Sequence, residues 1–243
     1  MNKMRKIFFK NGFFLHIVYE DQYIFIINKP KNIVIHSGRN VNSTTLMDML
    51  LIKYPFLYHV PRAGIVHRLD KNTTGLLIIA KDTITYYSMV TLIKNRMVIR
   101  EYDAFVFGNL ISSGSVNLPI IKKIRKNIRM VVHNSGKISV THYKIIQRFK
   151  YYTHVHLKLE TGRTHQIRLH MLNIKKPILG DPLYQLRNCF PLKINTNVLN
   201  KLKLFSRQAL HASHIKFFHP IINVIVDCYL SLPKDMIEIM KYL

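Results

Sequence analysis

The sequence predicts an α+β fold with a largely antiparallel sheet and flanking helices. Several segments alternate apolar and polar residues at period two, only a few show helical spacing, and strands and helices do not alternate regularly along the chain. At 243 residues the chain can bury a sizeable core. It carries no internal repeat and no linker strong enough to split it. The expected organisation is therefore a short basic tail over residues 1–16 and a single domain over residues 17–243.

The elements follow in order. Residues 17–36 alternate β-branched and aromatic residues around Glu20-Asp21-Gln22, a hairpin signal, and Pro30 closes the second strand. Ser43 offers an N-cap to a helix with Leu46, Met49 and Leu50 on one face and Pro55 as its stop. Leu76–Ala80 is an apolar, buried strand, and residues 83–95 have helical spacing. Another strand is expected over 100–110. "VTHYKIIQRF" (140–149) and "THVHLKLE" (153–160) alternate cleanly, then "THQIRLHMLNI" (164–174) switches to helical spacing. Pro177 and the turn "GDPLY" (180–184) come next. Residues 186–206 are polar and irregular, as in a surface insertion. Strands over 215–218 and 223–230 and a short helix end the chain.

Charge narrows the function classes. The chain has 37 Lys plus Arg against 12 Asp plus Glu, a formal net charge of +25. An abundance of Lys, Asn and Ile, as an AT-rich genome produces, accounts for part of that excess. The rest points to a polyanionic partner, with nucleic acid the leading class. The two cysteines, Cys189 and Cys228, form no CxxC and have no paired histidine spacing. That excludes a zinc site of the usual spacing and a disulfide framework, and suits a reducing compartment. In the basic, Phe-rich start, Lys10, Asn11 and His16 break the apolar run and no small-residue cleavage site follows. No segment is long enough to span a bilayer. A cytoplasmic protein is expected.

Chemistry concentrates in "GIVHRLDKNTTGLLIIAKD" (64–82), where His67, Arg68 and Asp70 stand in a loop just before a strand. A His-Arg-x-Asp turn can simply hold a loop together. Yet Asp70 is one of few acids, its loop is placed by a rigid strand, and Thr73, Thr74 and Gly75 can shape a tight pocket. A second cluster, "ETGRTHQIRLHM" (160–171), lies where a strand meets a helix. A helix beginning near Thr164 puts His165, Arg168 and Leu172 on one face. Arg168 could then meet Asp70, and an adjacent guanidinium would keep a poorly hydrated carboxylate ionised, as a nucleophile or base requires. Alternatively this basic face contacts phosphates. Tyr102 is either a core tyrosine or an aromatic platform for a flipped base. No Gly-rich phosphate loop, metal-ligand spacing or Gly-x-Ser-x-Gly elbow is present.

Together, "PRAGIVHRLDKNTTGLLIIAK", "ETGRTHQIRLHM", "ILGDPLY" and "RQALHASHIKFFHP" resemble, in the same order, the motifs of the RluA-type RNA pseudouridine synthases. The resemblance runs from about Ile17 to Leu243. "VPRAGIVHRLDK", "REY", "VTHY" and "PKDMIEIM" favour the branch that modifies the helix 69 loop of 23S ribosomal RNA. The resemblance implies the pseudouridine synthase catalytic fold with a central RNA-binding cleft. It places the catalytic aspartate on Asp70, the base-stacking aromatic on Tyr102 and the basic partner of the carboxylate on Arg168. Arg68 falls on a position facing the RNA, and His67, Arg163, His165 and Gln166 on the pocket or its phosphate contacts; Thr74, from the pocket-shaping run before the strand, is a further expected RNA contact. No cofactor and no metal are implied, the partner is RNA, and a monomer is the default. Members of this branch usually carry an N-terminal S4 RNA-binding domain, for which sixteen residues are too few. Gln185 also departs from the family's usual glycine. Two alternatives stay open: a synthase acting on transfer RNA or on both RNAs, and a non-catalytic RNA-binding assembly factor. A glycoside hydrolase, which needs two carboxylates, is disfavoured by the scarcity of acids.

Overall fold

The computed structural model describes residues 5–9, 14–36, 44–123, 129–186 and 194–243. Its contacts group the chain into two compact units, Met1–Ile99 with Ala212–Leu230, and Arg100–His211 with Ser231–Leu243.

In unit 1, part of the expected tail is already sheet. Strand β1 (Arg5–Phe8) runs antiparallel to β2 (Phe14–Glu20), with Arg5 opposite Ile17. The expected hairpin follows from β2 into β3 (Ile24–Lys29). Its turn is set by Asp21, whose carboxylate accepts the Tyr23 and Ile24 N–H groups at 2.7 and 2.8 Å. Strand β4 (Thr74–Ala80) pairs antiparallel with β3, and all seven of its residues are buried. Such a run without alternation belongs to a strand covered on both faces. Two helices flank this sheet. Helix α1 (Leu46–Lys53) is capped by Thr45 in a capping box with Asp48, and Leu46, Met49 and Leu50 are its buried face. Ser43, the expected cap, lies outside the described residues; the residue bordering the helix satisfies its first N–H groups. Helix α2 (Thr83–Lys94) is capped by Asp82, which accepts the Thr85 N–H at 2.8 Å.

In unit 2, β5 (Ile99–Phe107), β6 (Gly114–Asn117), β9 (Val140–Arg148) and β10 (Tyr152–Leu159) form an antiparallel sheet in the order β5-β10-β9-β6. A separate two-stranded sheet, β7 (Ile120–Lys123) with β8 (Arg129–Val132), was not expected. Helix α3 (Gln166–Asn173) follows β10 and starts two residues later than its spacing predicts. The stretch expected to be irregular over 186–206 contains helix α4 (Thr196–Leu204), capped by Asn195 and anchored by buried Leu202. Strand β11 (Leu210–Phe218) leads from unit 2 into unit 1, where it pairs antiparallel with β12 (Ile225–Tyr229). Helix α5 (Lys234–Met240) closes the chain. Among the described residues, no helix is long and apolar enough to cross a membrane.

Candidate functional site

In unit 1 the loop bearing Asp70 is built by backbone constraints. Gly64 takes φ +75°, and a Cβ there would run into the carbonyl oxygen of Ala80; Gly75 takes φ +114°, and its Cβ would run into the Ala212 backbone. Both positions need glycine for conformation and for close approach. Between them, His67 Nε2 accepts the Ile78 N–H at 3.1 Å, tying the loop to β4. The Asp70 carbonyl accepts the Thr73 N–H at 3.1 Å and closes a turn before β4 begins at Thr74, which is buried. The ammonium of Lys29 is fully buried and donates to the carbonyls of Pro30, Ile33 and Lys71 at 2.8, 3.2 and 3.0 Å. The acceptor on Lys71 pins the residue that follows Asp70. The sequence reading missed Lys29; its signal was a lysine ending an otherwise apolar strand.

Side chains in this loop are treated differently from its backbone. Asp70 and His67 are half-buried, while Arg62, Arg68 and Lys71 are exposed. Half-buried His36 is held below its ordinary value, first by burial and then by the Arg68 and Arg62 guanidinium groups. The loop thus presents one carboxylate within a positive field, suited to a polyanion that must be positioned at one reactive group.

In unit 2 the second cluster is locked. Tyr102 sits on β5 opposite Leu157 of β10 and is 5 % exposed. Gln166 anchors the loop before α3: its Oε1 accepts from the Thr161 hydroxyl at 2.8 Å and from the Arg163 N–H at 3.0 Å. Its Nε2 donates to Val140 O and Thr141 Oγ1, both at 3.0 Å. Arg163 itself is exposed. His165 takes a left-handed conformation, φ 56°, as the N-cap residue of α3, so it stands just outside the helix on which it was expected. Its Nδ1 hydrogen-bonds the Tyr184 hydroxyl at 2.8 Å. Leu172 packs against a cluster of Ile120, Leu169 and Tyr184.

Arg168 is the most constrained of these residues. Its Nε and Nη2 donate to the two carboxylate oxygens of Asp181 at 2.6 and 2.7 Å, and its guanidinium lies 4.9 Å over the Tyr184 ring. Arg168 is 4 % exposed and Asp181 is fully buried. Asp181 also accepts the Leu183 and Tyr184 N–H groups at 2.9 and 3.0 Å. A buried pair with its remaining lone pairs satisfied in this way is a rigid unit. The sequence points Arg168 towards Asp70 and gives no expectation for Asp181. The available signal was an acid inside "GDPLY", in a chain with few acids to spend.

Comparisons with known proteins identify relatives of the chain. The family model described as RNA pseudouridylate synthase matches residues 23–173. The chain is 49% identical over 231 residues to the ribosomal large subunit pseudouridine synthase D of Buchnera aphidicola subsp. Schizaphis graminum, covering 94% of this chain and 73% of that protein. It is 43% identical over 227 residues to the protein of the same name from Escherichia coli, covering 93% and 70%. Among solved structures, human RNA pseudouridylate synthase domain containing 4 superposes with a TM-score of 0.73 at 25% identity, over 93% of this chain and 92% of that one.

Proposed function

The chain belongs to the RNA pseudouridylate synthase family, and from that premise we propose that it isomerises uridine to pseudouridine in large-subunit ribosomal RNA, at the helix 69 loop. The observation that carries the substrate is the extended identity to relatives named for the large ribosomal subunit. The positive field around the Asp70 loop, from exposed Arg62, Arg68 and Lys71, supports an RNA ligand.

The reaction breaks the bond from uracil N1 to the ribose and forms one from C5, so substrate and product have the same composition. No group donor or redox partner is needed to balance it. Asp70 supplies the carboxylate that acts on the ribose, as nucleophile or as base; both roles need it ionised. Tyr102 stacks on the detached uracil, which stays bound and returns through C5. Arg168, fixed by Asp181, supplies a guanidinium whose position does not drift during the turn of the base. Arg68 helps hold the displaced nucleotide out of its stack, and Arg163 adds a phosphate contact.

Formation of the C5 bond expels the C5 hydrogen, so tritium release from RNA labelled at uracil C5 measures turnover directly. The expected result is release from large-subunit RNA carrying helix 69, little release from bulk transfer RNA, and loss of roughly 10³-fold or more in Asp70→Asn with folding retained. Release from transfer RNA alone would overturn the substrate and keep the chemistry. Binding of both RNAs without release from either would replace the enzyme with an RNA-binding assembly factor.

A further inference from the structure

Arg100 has no role in the assignments above, and its surroundings are unusual for a cation. It is 6 % exposed, and its Nε meets no hydrogen-bond partner. Among the described residues no carboxylate pairs with it. The other two arginines buried in unit 2 are treated otherwise: Arg168 is paired with Asp181, and Arg207 with Asp235 at 2.8 Å through two nitrogens. A buried guanidinium left without a counter-charge costs several kcal/mol. Such a cost persists where a ligand supplies the anion.

The neighbours of Arg100 indicate which anion. Burial along β5 alternates, so Arg100 and Tyr102 share its inner face while Glu101 and Asp103 lie on the other. On that other face the acids are engaged by histidines, Asp103 with His154 at 2.7 Å and Glu101 with His156 at 3.2 Å. The guanidinium of Arg100 lies against Gly162, where a Cβ would stand 2.7 Å from Nη1. Gly162 and Arg163 are exposed, so this edge of the guanidinium is roofed by bare backbone in a loop that also carries a solvent-facing arginine.

We propose that Arg100 is an RNA-phosphate anchor, taking a backbone phosphodiester of the bound RNA at the Gly162 edge while Tyr102, two residues along the same strand face, meets the base. The inference rests on the RNA-modifying reading. It makes Arg100 a binding residue, and it explains why Gly162 carries no side chain.

Salt dependence tests it, because a phosphate contact contributes about 0.7 to the slope of log Kd against log salt for single-stranded RNA. A helix 69 oligonucleotide is titrated with wild type, Arg100→Gln and Arg100→Lys. The Gln variant should lose about 0.7 of the slope, so that its affinity deficit narrows about fivefold over a tenfold rise in salt. The Lys variant, which keeps the charge, should keep the slope. An unchanged slope in Arg100→Gln, whatever its melting temperature, overturns the proposal and leaves Arg100 a packing residue. Should the Gln variant not fold, the wild-type Arg100 Nε–H resonance, assigned by its absence from Arg100→Lys, decides. Its movement on adding RNA supports the contact, and its indifference at saturation overturns it. Tritium release by wild type is measured in parallel. Binding without release defeats the enzymatic reading, and the slopes still decide Arg100 on their own.

Discussion

Residues 64–75 fix their backbone and leave Arg68 and Lys71 to solvent, whereas residues 160–184 bury Arg168 and Asp181 as a pair and keep Arg163 and Lys175 at the surface. In the first region two glycines at positive φ, the His67 ring and the Lys29 ammonium hold the main chain, while Arg68 is exposed and Asp70 half-buried. In the second, Gln166, Arg168 and Asp181 are all buried and hydrogen-bonded. The difference shows two ways of fixing a charged segment, one through its main chain and one through its buried side chains. Exposed charges can capture and release RNA without a large desolvation cost, while locked charges provide fixed positions.

The largest effect should come from breaking the locked region. Asp181→Ala leaves the Arg168 guanidinium buried without its counter-charge, and two backbone N–H groups, those of Leu183 and Tyr184, lose their acceptor. Removing one member of a buried pair costs about 3–5 kcal/mol, so denaturant unfolding should show a loss of that size. A loss below about 1 kcal/mol would mean that the pair behaves like a surface contact, and the contrast between the regions would collapse.

Burial in unit 2 should also make the fold acid-sensitive. His211 is 1 % exposed, and burial foremost pushes it down to about 4. Its ordinary value is 6.5. As pH falls from 6.5 towards 4, the unfolded chain takes up a proton here and the folded chain does not, so stability is lost over that window. The loss reaches about 3 kcal/mol at its acid end. His156, raised by its bonds to Asp103 and Glu101, acts with the opposite sign: its contribution is present in acid and fades as pH rises through its folded value. The measurement is therefore a difference, the stability of wild type against His211→Gln from pH 7 to 4. The variant should show the shallower acid decline. Parallel curves would mean that His211 is protonated in the folded state.

How far the sequence revealed these two regions follows from the kind of signal each emits. The alternation of β9 and β10, the helical spacing of α2 and the buried face of α1 are local patterns, and they read correctly. Asp70, Arg68 and Arg168 stand out as candidates because reactive residue types crowd into short motifs. Three features escaped because their physics is not local. The Arg168–Asp181 pair joins residues thirteen apart through a turn, and no periodicity encodes a pairing of that kind. Strands β7 and β8 are four residues each and rich in Lys and Arg, too short to show a period. Helix α4 lies in a stretch that reads as irregular chain because its apolar residues, Val198, Leu199, Leu202 and Leu204, are diluted by Asn and Lys. There the Asn195 cap was the available signal.

The smallest effect tests the open region most directly. Arg68 is exposed, so Arg68→Gln should change stability by no more than about 0.5 kcal/mol. Its influence is electrostatic, and His36 reports it. Burial is the main cause of that ring's lowered value, with Arg68 and then Arg62 adding to it. Removing Arg68 should therefore raise His36 part of the way towards 6.5, with the burial contribution left in place. The same resonance distinguishes an RNA-facing charge from an idle one. Phosphates drawn to Arg62 and Arg68 cancel the field that depresses His36, so adding helix 69 RNA to wild type should raise it as well. The rise should shrink in Arg68→Gln and fade in high salt, since exposed charges are screened over about 10 Å at 0.1 M. If RNA binds and His36 titrates as before in both proteins, the capture surface lies elsewhere, and the exposed arginines of this loop lose the role that sets them apart from the buried pair.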